Sequence, residues 1–554
     1  MTEIPTRKHH PFIKKPMHIV ETEESLSELS RSLSLFDLVC IGIGGTVGSG
    51  IFATAGTIIS ETAGPAAVVS WIIGGVVVCI NSLAYMELTT RIPSSGSTYA
   101  YVYHTLGEAP AIVAAWLLTL EYGVSGAGVA RSWAEKVADW IASDRYEWLN
   151  LEYTNVLGAL LQASCVLILL SGFRCGKLAI NSITITKCLI VMIIIVAGMV
   201  ALRKEYLSPF LPPRDTVTKK YGYQGVITGA AQAFFGYIGF DEVCCLAAEA
   251  KNPRKIMPLA VIIVVLATMF LSVAASFVLS GLLPFERATS FSAGFENVGW
   301  KWAASIIRLG EIVTMPVVVL VCFLAQPRLN YAVACDGLLF RIFAKIDGNG
   351  NMFWNTLITG TLLTILAFTV PFTILWDIVS FGILLSFIMS NTAVLMVRTM
   401  DISPRLAPRY ICVIVVSAGL AAFIYQKGYE DAKSEICLLV ALLLLTITLV
   451  MTVIFAWRCP QGSNDMAIFS APFVPYLPSL AIVLDWYLIA QLSTLPISLG
   501  CAWILAALLS YLAYGFHHAA SRTGWARLRN QQVNEVKSQI ESMADFREFS
   551  PIKA

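Results

Sequence analysis

Apolar runs long enough to cross a lipid bilayer recur from residue 35 to residue 517, and few folds accommodate such a pattern. A spanning helix needs about 20 mostly apolar residues. Fourteen windows meet that requirement: 35–61, 66–90, 108–134, 152–171, 178–201, 224–249, 256–282, 301–333, 353–370, 372–398, 409–426, 435–457, 472–492 and 495–517. Inside hydrocarbon every backbone N–H and C=O must be satisfied by protein, so runs of this length are predicted to be helices. Hydrophobic residues make up 57% of the chain and charged residues 13%. Soluble domains hold about 45–50% and about 25% of these classes. The expected class is an all-α polytopic membrane protein with about 14 transmembrane helices and the bilayer as its solvent.

Net charge is +2, which excludes the basic field of a nucleic-acid binder. The thirteen cysteines include no zinc-finger spacing, and most lie in apolar runs as small hydrophobes. No metal and no cofactor is expected. The polar first 34 residues read as a cytosolic segment without a signal peptide, and 519–554 as a cytosolic tail. With the N-terminus in the cytosol, 24 of the 38 Lys and Arg fall on the inner side and 10 on the outer. Both termini are therefore expected inside, although the basic loop 202–221 runs against the rule. Val533, Val536, Ile540 and Met543 recur at helical spacing and predict a short amphipathic helix in the tail.

Two spans are interrupted. Span 1 carries Gly42, Gly44, Gly45, Gly48 and Gly50 within nine residues. Each glycine costs about 1 kcal/mol relative to alanine in a helix interior. Span 6 carries Phe235, Gly236, Ile238, Gly239, Asp241 and Glu242 in the same kind of apolar setting. The two interruptions occupy the first spans of successive five-span blocks, 35–201 and 202–398, and residues 399–518 hold four further spans. Paired interruptions at corresponding positions mark a transporter's binding site. Freed N–H groups and a positive helix end suit a carboxylate, and freed carbonyls suit an ammonium. A free amino acid supplies both charges. The glycine cluster is no nucleotide loop: Val47 stands where the last glycine of G-x-G-x-x-G belongs, and no strand precedes it.

From Leu29-Ser30-Arg31-Ser32-Leu33 through Phe36-Asp37-Leu38 to Ile51, the chain resembles the cationic amino acid transporter family of the amino acid–polyamine–organocation superfamily. The same likeness continues in Pro93-Ser94-Ser95-Gly96-Ser97-Thr98-Tyr99, in Ile238-Gly239-Phe240-Asp241, and in Glu249-Ala250-Lys251-Asn252-Pro253. It extends to Pro327-Arg328, Asp336-Gly337-Leu338, Phe473-Val474-Pro475 and Tyr514-Gly515-Phe516-His517-His518. The resemblance implies a leucine-transporter-like core of 5+5 inverted repeats with discontinuous helices 1 and 6 and four peripheral helices. It departs at Ala248-Glu249-Ala250, where the family usually has two acids, and in span 8, where Glu311 or Met315 replaces a small residue.

The resulting substrate site comprises Thr46, Val47, Gly48, Ser49, Gly50 and Ile51 of span 1, Glu121 of span 3, Phe235 and Ile238 of span 6, and Met315 of span 8. Ionisable groups at membrane depth are costly and mark function. The resemblance places Lys187 of span 5 where sodium-coupled relatives hold a cation, so its ammonium is expected to brace span 1 and permits proton coupling. Asp241 is expected to cap the second half of span 6. Glu87 is expected at an inner gate, paired with a basic residue such as Arg91 or Lys251. Arg308 and Glu311, three apart on one helix, are expected to pair.

The expected function is secondary transport of amino acids by alternating access, with arginine and lysine favoured. A neutral amino acid carrier of the same fold stays open, as does a non-transporting sensor. The sequence holds no G-x-x-x-x-G-K-[ST] loop, so gradients or exchange would supply the energy, and no membrane-embedded enzyme motif is present. The plasma membrane is expected, with vacuolar or lysosomal membranes as alternatives.

Overall fold

The computed structural model describes residues 10–26, 31–94, 96–141, 150–151, 154–171, 177–215, 221–347, 351–462 and 469–526. The tail helix predicted around Val533 lies outside them. The chain is an all-α polytopic membrane protein. Nine helices among the described residues are long and apolar enough to cross a membrane, and Val156–Leu170 and Phe353–Thr369 are shorter apolar helices. The only strands among those residues are Asn150–Leu151 and Thr154–Asn155, which form an antiparallel pair between spans 3 and 4.

Span 1 begins where side-chain chemistry stops the preceding coil. Ser34 Oγ accepts from Asp37 N–H, and Asp37 Oδ2 accepts from Ser34 N–H at 2.9 Å, a reciprocal cap for the helix Leu35–Thr46. The other oxygen of Asp37 accepts from Asn181 Nδ2 at 2.8 Å and so ties span 5 to the foot of span 1. Span 1 turns into span 2 at Gly64, whose φ of +66° a residue with a side chain rarely adopts. Span 2, Ala67–Arg91, then packs along span 7, Pro253–Leu282, and span 1 lies against span 7 as well. Glycine makes this approach possible, because a Cβ on Gly42 would meet Val264 Cγ2 at 2.6 Å and Val243 Cγ2 at 2.9 Å.

The start of span 1 and the end of span 6 are also joined through backbone. Ser32 and Leu33 N–H donate to the Glu249 carbonyl at 2.9 and 3.0 Å, and Lys251 N–H donates to the Leu33 carbonyl at 3.1 Å. Deeper polar contacts join the helix Tyr476–Gln491 to spans 2 and 10. Asp485, on Tyr476–Gln491, accepts from Asn81 Nδ2 of span 2 at 2.9 Å, and Asn391 of span 10 donates to Asn81 Oδ1. The sequence assigned Asp485 no role, and the fold gives it this structural one.

Candidate functional site

Span 6 breaks as its sequence predicts. The helix Gly222–Ala233 tightens over Phe234–Tyr237, Ile238 turns extended with ψ of 132°, and a new helix runs over Phe240–Cys245. Gly239 carries the break at φ +138°. A Cβ there would also meet the Gly42 carbonyl oxygen at 2.7 Å, so both conformation and space demand glycine. Asp241 Oδ1 accepts from Gly239 N–H at 3.2 Å and satisfies a donor that the break released.

Span 1 differs from expectation. It does not unwind at Gly48; its helix continues and widens into i→i+5 turns over Val47–Thr54. Widening relaxes the glycine-rich stretch while keeping its N–H groups bonded inside the helix, which costs less in hydrocarbon than a full break. It also brings backbones together: Gly50 sits against Gly236, whose Cβ position lies 2.8 Å from Gly50 Cα. The two spans are in direct backbone contact at this point.

The expected residues gather around that contact. Thr46, Val47, Ile51, Phe235, Ile238 and Met315 are all buried. Thr46 Oγ1 lies 2.9 Å from Thr268 Oγ1 of span 7, and the Phe235 ring stands edge-on to Phe372 of span 10 with centroids 6.0 Å apart. The side chain of Ser49 lies outside the described residues. Lys187 Nζ donates to the Gly44 carbonyl at 2.8 Å and stands 3.3 Å from the Cβ position of Gly48. Glu121 lies in another wide turn, Leu120–Val124, fully buried, with Oε2 accepting from Ser386 Oγ of span 10 at 3.5 Å. The carboxyl of Asp241 faces that of Glu121.

Glu87 lies away from this cluster, near the C-terminal end of span 2. It accepts from Arg91 Nε at 2.9 Å and makes no ion pair with Lys251. Its main partner is one that sequence reasoning missed. Arg398, at the C-terminal end of span 10, holds both carboxylate oxygens at 2.8 and 2.6 Å, and the Ala471 N–H donates as well at 2.8 Å. The available signal was an arginine at the end of an apolar run. Replacing Arg398 by alanine leaves Glu87 buried without its fork. Such a loss costs about 3–5 kcal/mol, and a lowered thermal midpoint in detergent is the expected result; an unchanged midpoint would refute the assignment.

The Arg308–Glu311 pair does not form. Arg308 pairs with Glu296 at 2.7 Å, and Glu311 pairs with Lys136 of span 3 at 3.2 Å. Glu311 is buried against span 3 while Arg308 is one-third exposed, so the two side chains diverge from the same helix toward different surroundings. Cys322 and Thr268 also border the site, and nothing in their apolar sequence context marked them.

The profile of the amino acid permease family matches residues 33–458, and that of the amino acid permease C-terminus matches 469–519. The chain belongs to the amino acid permease family. It is a member of the amino acid–polyamine–organocation group and an amino acid transporter of the membrane. This permease is 32% identical to the methylthioribose transporter of Bacillus subtilis over 75% of its own length and 92% of that protein's. It is 27% identical to cationic amino acid transporter 4 of Mus musculus, covering 92% and 91% of the two chains. It is 27% identical to the branched-chain amino acid permease BcaP of Bacillus subtilis, covering 92% and 98%.

Proposed function

We propose that this permease is a secondary transporter of cationic amino acids, arginine and lysine first, working by alternating access around the contact of spans 1 and 6. The observation that carries this reading is the meeting of the widened helix Val47–Thr54 with the broken helix at Ile238–Gly239, surrounded by the buried charges Lys187, Glu121 and Asp241. Thr46, Val47, Gly48, Ser49, Gly50 and Ile51 would receive the substrate's carboxylate and ammonium when the spans part. Glu121, Phe235, Ile238 and Met315 would line its side chain, and a cation over the Phe235 ring would add attraction. Lys187, bound to the span 1 backbone, would couple transport to protons. Glu87 with Arg398 would hold the cytosolic side shut.

In this reading the chain crosses the bilayer fourteen times, residues 35–201 and 202–398 form the inverted repeats, 399–518 pack outside them, and both termini face the cytosol. The plasma membrane is the proposed site of action. A neutral substrate is the alternative reading, supported by the similarity to a branched-chain amino acid permease. Uptake by purified protein in liposomes, with a panel of labelled amino acids and with or without an imposed pH gradient, tests the proposal. Arginine uptake that lysine competes more strongly than leucine is the expected result. Competition by leucine alone would favour the neutral carrier, and no uptake of any amino acid would end the transport reading.

A further inference from the structure

Both carboxylate oxygens of Glu242 are buried without a hydrogen-bond partner among the described residues. The side chain fits because Gly45 has none: Glu242 Oε2 lies 2.8 Å from where a Cβ on Gly45 would sit. Glu242 therefore rests on the turn of span 1 whose preceding carbonyl, that of Gly44, is held by Lys187. It lies three positions after Gly239, a rise of about 4.5 Å along a helix, which the four-carbon stem of a lysine covers.

The charged and titratable groups around it come from four elements. Its own helix supplies Asp241, Cys244 and Cys245, and span 3 supplies Glu121 and Tyr122. Span 8 supplies Cys322, whose thiol stands beside Glu242 and the Ser125 hydroxyl, and span 5 supplies Lys187, near the same thiol. Asp241 and Glu121 face each other, and a hydrogen bond between two carboxyls takes one proton. That pair then carries one negative charge, and Lys187 is engaged with the Gly44 carbonyl. Glu242 is left over. An ionised carboxylate with no donor stronger than the neighbouring Cys322 thiol costs several kcal/mol at this depth, so the place requires a positive charge.

We propose that Glu242 is a single-charge site which a proton and the cationic end of a substrate side chain occupy in turn. When arginine or lysine enters, its side chain pairs with the Glu242 carboxylate, and the proton that had completed the carboxyl O–H leaves to water admitted by the open site. When a neutral amino acid enters, that proton stays. The permease then moves one proton fewer with each cationic substrate than with each neutral one, and the total charge moved per molecule is the same. The proposal rests on the transport reading and extends it to a specificity residue that neither the comparisons nor the family resemblance assigns.

The test counts protons with a trapped pH dye against labelled arginine and labelled leucine in voltage-clamped liposomes. One proton fewer per arginine than per leucine is expected for the wild type, and equal counts would overturn the proposal. Glu242→Gln is expected to abolish the difference and to lower arginine uptake at least tenfold relative to leucine; an unchanged ratio would also overturn it. Glu242→Asp should keep the difference, so the proposal stays testable if the glutamine variant does not fold. Leucine uptake without arginine uptake sinks this inference and leaves transport standing, whereas no uptake of either sinks both.

Discussion

Lys187→Ala is expected to reduce substrate-dependent uptake at least a hundredfold while the protein still reaches the membrane. The ammonium is buried in span 5 and donates to the Gly44 carbonyl of span 1 at 2.8 Å, one turn before the widened segment. A hydrogen bond from a charged donor contributes about 1.5–3 kcal/mol, and more is at stake in hydrocarbon, where no water replaces it. Removing the side chain breaks the deepest of the ties between spans 1 and 5 and deletes a buried cation that lies near the Cys322 thiol, which in turn stands beside Glu242. Alanine also leaves a cavity, so Lys187→Met separates charge from volume. Methionine fills similar space and offers no donor. Both variants are expected to be inactive, with the methionine protein close to wild type in thermal stability. Wild-type uptake by Lys187→Met would remove the ammonium from the mechanism.

Gly50→Ala is the second large effect. A methyl group there would lie 2.7 Å from the Gly236 carbonyl oxygen and closer still to Gly236 Cα. The obstacle is backbone, so no side-chain rotation relieves it. Overpacking a tight interior costs about 1–3 kcal/mol, and here the strain falls between the two helices whose approach closes the site. Uptake is expected to fall more than tenfold, with loss of expression in the worst case. Gly126→Ala is the matched control. Its new methyl would meet Cys322 Cβ at 3.5 Å, an ordinary contact, and near-normal uptake is expected. Equal activity of the two variants would show that the Gly50–Gly236 contact has no special place in transport.

The membrane class, the helical spans and the break at Gly239 were legible in the residues because each rests on local physics. Apolar length dictates a helix in lipid, and an isolated glycine pair flanked by carboxylates cannot sustain one cheaply. Ser34 and Asp37 announce the start of span 1 for the same local reason. The form of the span 1 interruption was not legible. Five glycines permit unwinding or widening equally, and the choice is made by Gly236, Val318 and Lys187, which reach that stretch from three other helices. Charge pairing was the weakest inference. The i, i+3 spacing of Arg308 and Glu311 was overridden because Lys136 and Glu296 are supplied from elsewhere.

Sequence alone settled that this chain lives in lipid, that its backbone is helical there, and where two of those helices carry an irregularity. All three follow from the free energy of peptide groups and apolar side chains in hydrocarbon, which is counted residue by residue. Only the folded arrangement decided which charges meet. Glu87 found Arg398 across 311 positions of chain, Lys187 found Gly44 across 143, and Glu242 was left without an ionic partner among the described residues. Ionic partners at membrane depth are chosen by what the packed helices bring within about 3 Å, and no local pattern encodes that distance.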